Sequence, residues 1–66
     1  MLEWAKRQIR QTYGMLLSEK AYEINAEMVQ GLYEQGYISD DDYGYLKGYN
    51  DGLKIGVGVV LKVVKH

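Results

Sequence analysis

Glycine stands at every fourth position along one stretch of this sequence, at Gly44, Gly48, Gly52 and Gly56. Residues four apart lie on one face of an α-helix, so a helix here presents a strip of bare backbone. Each glycine inside a helix costs about 1 kcal/mol relative to alanine. The spacing therefore predicts a glycine ladder, the face formed by these four residues, where a second helix approaches closely and offsets that cost.

An apolar C-terminal segment follows the ladder, and its sequence is compatible with either a helix or a strand. Leu53 and Val57 run beside the glycines, and we expect them to complete a self-association surface. The polar positions between residues 47 and 65 recur at helical spacing, which predicts that the helix continues. Two alternatives remain: a glycine-rich turn region over residues 44–58, or a β-strand over residues 55–64 paired between chains. Helix and strand both predict association.

The size of the chain limits how it is stabilised. With 66 residues it forms one domain, residues 1–66, whose core is small. Without cysteine it has no disulfide, and with a single histidine it lacks the ligands of a structural zinc site. Such a chain depends on helix packing or on oligomerisation, and a homo-oligomer is the expectation.

Helical spacing also dominates the N-terminal half. Apolar residues recur every three or four positions from Leu2 to Leu16, and again in two stripes from Leu17 to Tyr33. The pattern fits one helix with a register shift near residues 17–18 or two helices meeting there, with Ser18 as a cap. Since no proline or tight turn separates the halves, near-continuity is favoured.

A turn is predicted over residues 36–39. Gly36 is placed to end the preceding helix, with Tyr37 or Ile38 folding back as the apolar contact, and Ser39 with Asp42 reads as a capping box. The predicted fold is therefore all-α: a hairpin of two long helices, the second carrying the glycine ladder. Antiparallel packing is expected to bury one apolar set: Leu16, Ile24, Met28, Leu32, Leu46, Leu53 and Val57.

The sequence contains no residue pattern typical of a catalytic site or a metal site. There is no cysteine nucleophile, and the acids from Asp40 to Asp51 do not follow the spacing of a calcium-binding loop. No phosphate-binding glycine motif is present either. We therefore predict a protein that is not an enzyme and needs no cofactor or metal.

The charges and tyrosines point to contacts with other proteins. Residues 1–20 carry a balance of +2, residues 21–52 one of −6 and the remainder +3, a segregation suited to self-association or to a basic partner. Seven tyrosines and no phenylalanine give side chains with an apolar body and a polar tip, which suit interfaces. The predicted partner-binding patch lies beside the acidic turn and comprises Tyr37, Asp40, Asp41, Tyr43, Tyr45 and Tyr49.

A DNA-associated regulator is the alternative function. The basic N-terminal helix offers Lys6, Arg7 and Arg10 to a phosphate backbone, whereas the three aspartates that open the last helix would repel one. Nucleic acid is accordingly the less favoured partner. No targeting signal and no stretch long enough to span a membrane is evident, so a cytoplasmic location is expected.

The segment from residue 32 to residue 47, Leu-Tyr-Glu-Gln-Gly-Tyr-Ile-Ser-Asp-Asp-Asp-Tyr-Gly-Tyr-Leu-Lys, resembles the short C-terminal domain family, SHOCT. It shares a helix ending in glycine, an isoleucine and serine, then acids, an aromatic residue and a lysine. The resemblance implies a helical hairpin used for oligomerisation or docking. Short chains rich in tyrosine and glycine also resemble accessory proteins of phages and mobile elements, which often inhibit a host protein.

Overall fold

The structure is a computed structural model that describes the backbone of residues 2–16 and 19–64 and the side chains of residues 2–16 and 19–56. It contains three helices, α1 (Glu3–Met15), α2 (Glu19–Glu34) and α3 (Asp40–Val64). Every regular element of the described residues is a helix, so the all-α prediction is confirmed. The alternative of a strand over residues 55–64 is not supported, because α3 continues as a helix to Val64.

The expected two-helix hairpin is replaced by three helices. α1 ends at Met15, where Leu16 takes an extended conformation with φ −129° and ψ 92°, so near-continuity through this region is wrong. The reason is burial: α2 folds back so that the Asn25 side chain reaches the Ile9 carbonyl at 3.2 Å, which one continuous helix could not allow. Residues 17 and 18, and with them the proposed Ser18 cap, lie outside the described residues.

The predicted turn is confirmed in detail. Gly36 has a φ of +79°, and the Tyr37 amide donates to the Leu32 carbonyl at 2.9 Å, which closes the end of α2. Ile38 is buried and supplies the apolar contact, whereas Tyr37 is exposed. The Asp42 amide donates to Ser39 Oγ at 3.1 Å and the Ser39 amide to Asp42 Oδ2 at 3.2 Å, which is a reciprocal capping box.

The three helices form a bundle in which α1 runs parallel to α3 and α2 antiparallel to both. Contacts between α1 and α3 advance together along the two helices, whereas those between α2 and α3 advance in opposite directions. The pairs that show this are Lys6–Tyr45, Arg10–Tyr49 and Tyr13–Asn50 for α1, and Tyr22–Asp51, Asn25–Asn50 and Tyr33–Asp40 for α2.

The core differs in part from the predicted set. Leu46 is fully buried as expected, but Leu16 and Ile24 are exposed, which contradicts the prediction. Met28, Leu32 and Leu53 pack half-buried against the core, and the Val57 side chain lies outside the described part. Because α2 turns the face between its two apolar stripes inward, the buried apolar residues are Ala5, Ile9, Tyr13, Ala21, Val29, Ile38 and Leu46.

The described residues span 43 Å along the longest axis and 17 Å across. A helix of 25 residues is about 37 Å long, so α3 sets the length of the molecule. Within the described residues, none of the helices combines the length and the apolar character needed to cross a bilayer.

Candidate functional site

A ridge of cationic and aromatic side chains follows the line where α1 meets α3. The Lys6 ammonium donates to the Tyr45 hydroxyl at 3.2 Å and pairs with the Glu3 carboxylate at 3.2 Å. One turn on, the Arg10 guanidinium donates to the Tyr49 hydroxyl at 2.9 Å. The Lys6 nitrogen also lies 5.6 Å and 5.7 Å from the ring centroids of Tyr45 and Tyr49, within reach of a cation–π interaction. We call Lys6, Arg10, Tyr45 and Tyr49 the basic–aromatic ridge.

The ridge joins two sets of residues for which the sequence predicts different functions. Lys6 and Arg10 belong to the predicted nucleic-acid surface, and Tyr45 and Tyr49 to the predicted partner patch. The hydrogen bond to Tyr45, followed by the one to Glu3, raises the pKa of Lys6. The two cations thus tie α1 to α3. The nucleic-acid role of these residues and of the exposed Arg7 stays a prediction.

On the other side of α3, Asp40 and Tyr43 of the predicted patch face α2. The rings of Tyr33 and Tyr43 stack with centroids 4.6 Å apart. The Tyr43 hydroxyl donates to Gln30 Oε1 at 2.7 Å, and the Tyr33 hydroxyl donates to the Asp40 carboxylate. That hydrogen bond, and the charge of Asp40, raise the pKa of Tyr33. These contacts close the α2–α3 hairpin just above the turn.

The predicted partner patch is therefore divided by α3 rather than gathered on one surface. Tyr43 and Asp40 lie on the α2 side and Tyr45 and Tyr49 on the α1 side. Tyr37 lies in the turn with 70% of its surface exposed, and Asp41 is exposed in the first turn of α3. The two sides share only the turn end of the bundle.

A buried polar cluster at the centre of the bundle was not foreseen from the sequence. The Tyr13 hydroxyl donates to Asn50 Oδ1 at 3.0 Å, and Asn25 Nδ2 donates to the same oxygen at 3.3 Å. Asn50 Nδ2 donates to the Tyr22 carbonyl at 3.1 Å. Burial raises the pKa of Tyr13. One signal was available: Asn50 falls four residues after Leu46 and three before Leu53, a polar residue in an apolar helical stripe.

This cluster fixes how the three helices align. Asn25 and Asn50 are almost fully buried, so a shift of one helix along another would leave their amides without partners. Among the described residues, Asn25 Oδ1 is the buried side-chain atom that has no hydrogen-bond partner. At the edge of the cluster, the Tyr22 hydroxyl donates to Asp51 at 2.7 Å and Lys54 lies 4.4 Å from the Tyr22 ring centroid.

A shallow cleft of about 220 Å³ lies between α2 and α3. Small-molecule sites are typically about 300 Å³ or larger, so this cleft is closer in size to the imprint of one partner side chain. Over residues 2–16 and 19–64, no three histidine, aspartate or glutamate residues are grouped as metal ligands. The lining consists of Tyr22, Ala26, Val29, Gln30, Tyr43, Lys47 and Asn50.

The glycine ladder faces away from the bundle. Gly44, Gly48, Gly52 and Gly56 are exposed, and a Cβ built on any of them finds open space, with no other group within 4 Å. The close approach that the ladder was expected to serve therefore does not occur among the described residues. Leu53, assigned to the same surface, is instead half-buried against the core.

Comparison of this chain with protein-family models, with curated proteins and with solved structures gave no match in any of the three. The features that bear on function are therefore those of the structure itself. They are the basic–aromatic ridge on one side of α3, the stacked Tyr33 and Tyr43 on the other, and the exposed glycine ladder.

Proposed function

We propose that this chain is a non-enzymatic protein-binding module that associates with itself and docks on a protein partner. The observation that carries the proposal is the length of α3 relative to its neighbours. Tyr13, near the end of α1, contacts Asn50, and Tyr22, near the start of α2, contacts Asp51 and Lys54. α3 nevertheless continues to Val64, about 15 Å past Lys54.

Apolar side chains are exposed where α3 leaves the bundle. Met15 is 82% exposed at the end of α1, and Ile55 is 69% exposed one turn past Asp51. The sequence from residue 57 to residue 64 adds six valine or leucine positions beyond them. Exposed apolar side chains and an apolar sequence at one end of the molecule are typical of protein interaction sites, which supports self-association at this end.

The glycine ladder supports self-association in a second way. Four glycines inside a helix cost about 3–4 kcal/mol relative to alanine. Because open space surrounds all four positions, no packing within the described chain offsets that cost. A helix of another molecule that approaches α3 along the glycine ladder would offset it.

Docking on a partner is proposed at the turn end of the bundle. There Tyr37 projects from an acidic segment that contains Asp40 and Asp41, which suits a partner with a basic surface. The resemblance of residues 32–47 to SHOCT domains favours the same role. By analogy with phage accessory proteins, we propose inhibition of a host protein in the cytoplasm as the consequence of docking.

Sedimentation equilibrium of the full chain at micromolar concentration tests self-association. The proposal predicts a concentration-dependent mass above that of the monomer. A well-folded chain that stays monomeric at these concentrations would contradict it.

Docking is tested by affinity capture with matched variants. Tyr37→Ala, at an exposed position, should keep the helical content and lose a partner that the parent chain retains. Gln11→Ala, on the exposed face of α1 away from the turn, should keep that partner. Equal retention by both variants would exclude the turn as the docking site.

A further inference from the structure

The cleft between α2 and α3 forms where a very small side chain faces a long one. Two tyrosine hydrogen bonds join the helices, one on each side of the cleft: Tyr22 to Asp51 and Tyr43 to Gln30. Ala26 and Lys47 lie midway between these bonds on their own helices, so they face each other across the cleft. Because alanine carries only a methyl group, a space of about 220 Å³ remains between the two tyrosines.

The lining of the cleft is held in place by contacts within the chain. Tyr22 and Tyr43 border the cleft, and the hydroxyl of each donates a hydrogen bond of 2.7 Å. Val29 and Asn50, which also line it, are almost fully buried. A site formed in advance has little conformational entropy to lose when a ligand binds.

The two helices contribute different chemistry to the cleft. The apolar part of the lining comes from α2, with Ala26 and Val29, and α3 contributes Lys47 and Asn50. Asn50 Nδ2 carries two hydrogens, and its bond to the Tyr22 carbonyl uses one of them. Over residues 2–16 and 19–56, Lys47 has no ion-pair partner. The α3 side thus offers a cation and an amide donor, which together suit a carboxylate.

We propose that the cleft binds the C-terminal residue of a partner protein, and that this residue is aromatic. Its ring packs on Ala26 and Val29, and its carboxylate meets Lys47 and Asn50. The proposal rests on the docking function proposed above and specifies the chemistry of the partner.

The size and shape of the cleft select this occupant. A cavity of about 150 Å³ holds a benzene ring, so 220 Å³ admits one ring with a carboxylate. A free small molecule usually buries about 70–90% of its surface, which a shallow cleft does not provide. A chain end needs cover only for its last residue, because the rest of the peptide continues along the surface. In that residue the ring and the carboxylate are joined at one Cα.

The charges beside the cleft disfavour a cationic side chain. Tyrosine rings can bind a cation, but Lys54 already lies 4.4 Å from the Tyr22 ring centroid, and Lys47 lines the cleft. Asp51, the acid beside them, accepts the hydrogen bond of the Tyr22 hydroxyl. An anionic group is therefore the complementary one.

NMR titration of the isotope-labelled full chain with short peptides tests the proposal. The probe is acetyl-Ala-Ala-Phe with a free C-terminal carboxylate, which should shift the amide signals of residues that line the cleft. Two matched peptides each lack one half of the recognised group: the same peptide with a C-terminal amide, and acetyl-Ala-Ala-Ala with a free carboxylate. Each should bind at least about tenfold more weakly.

Two pairs of variants locate the site. Ala26→Leu fills the cleft from an exposed helix position, so it should abolish binding of the free-acid peptide while the circular dichroism matches the parent. Glu27→Leu, the next residue and also exposed, is its control and should keep binding. Lys47→Gln should weaken binding of the free-acid peptide about tenfold and leave that of the amide peptide unchanged, whereas Lys20→Gln should change neither.

Equal binding of the free-acid and amide peptides, or binding that survives Ala26→Leu, would overturn the proposal. Phenylacetate that binds as tightly as the free-acid peptide would assign the cleft to a free acid and overturn the assignment to a chain end. A chain that loses its partner through Tyr37→Ala but binds none of the peptides would overturn this proposal and leave the docking function standing. A monomeric chain that binds the free-acid peptide would overturn self-association and support the cleft assignment.

Discussion

The two parts of α3 differ in how much of the helix is covered by α1 and α2. From Asp40 to Lys54, α1 and α2 cover the face of α3 that carries Leu46, Asn50 and Leu53, and side chains of α3 have hydrogen-bond partners such as Tyr13 and Tyr22. Toward Val64 the helical spacing of the sequence continues, but α1 ends at Met15 and α2 begins at Glu19, so the last turns of α3 extend past both helices. The difference teaches that the periodicity of a helix predicts which face seeks a partner, whereas the lengths of its neighbours determine whether that partner lies in the same chain.

The largest contrast between the two parts is expected from truncating a side chain in each. Leu46 is fully buried, so Leu46→Ala should lower the free energy of unfolding by about 2–5 kcal/mol, enough to unfold much of a small domain. Ile55→Ala, at a 69% exposed position, should change it by less than about 0.5 kcal/mol in dilute solution. Urea denaturation followed by circular dichroism measures both. Equal losses would show that Ile55 is part of the bundle.

The buried polar cluster gives the next largest effect. Asn50→Ala removes the Oδ1 atom that accepts from Tyr13 and Asn25, and should destabilise the bundle by about 1–3 kcal/mol because those polar groups stay buried with one partner fewer. Gln35→Ala, at an exposed position in the turn, is the control. A neutral or stabilising effect of Asn50→Ala in the same urea experiment would mean that the cluster does not align the helices.

Two glycine-to-alanine changes separate a glycine that the chain needs from one that it does not. Gly36 has a positive φ, so Gly36→Ala should cost about 1–2 kcal/mol. Gly48 lies in open space inside α3, so Gly48→Ala should stabilise the isolated monomer by about 1 kcal/mol. Thermal unfolding in dilute solution measures both. If the ladder mediates self-association, Gly48→Ala also weakens the oligomer; a less stable monomer would instead place a close packing partner within the chain.

The smallest expected effect concerns the hydrogen bond between Tyr22 and Asp51, near the end of the bundle where α2 begins. The hydrogen bond to Asp51, and then burial, raise the pKa of Tyr22 above its ordinary value of 10.0. A raised pKa gives stability that is fully present below the ordinary value and is lost as pH rises through the raised one. The stability difference between the parent and Tyr22→Phe should therefore shrink in alkaline solution. A difference that is constant with pH would contradict the bond.

Capping and spacing allowed the helices and the turn to be predicted, because those rules act locally. Gly36 and Ser39 mark their positions through backbone geometry and a reciprocal hydrogen bond, whatever the rest of the chain does. A break near residues 17–18 was only the less favoured alternative, because no proline or turn pair marks it. It follows from the gain in packing Ile9 against Asn25, a contact between residues distant in sequence.

The candidate surfaces were predicted residue by residue but not in their grouping. The tyrosines and aspartates of the patch were predicted from their closeness in sequence. In α3, however, Tyr43 and Tyr45 lie on different sides, because residues two apart do not share a face of a helix. The pairing of Lys6 with Tyr45 depends on α1 lying parallel to α3, which the two-helix hairpin did not contain. Tertiary arrangement, rather than residue type, decided these contacts.

Amide hydrogen exchange as a function of protein concentration tests the central claim most directly, because it compares the two parts of α3 in one sample. We predict that the amides of residues 57–64 gain protection as concentration rises, while those near Leu46 and Asn50 are protected at every concentration. Protection of residues 57–64 that does not change with concentration would contradict the claim that a second copy completes α3.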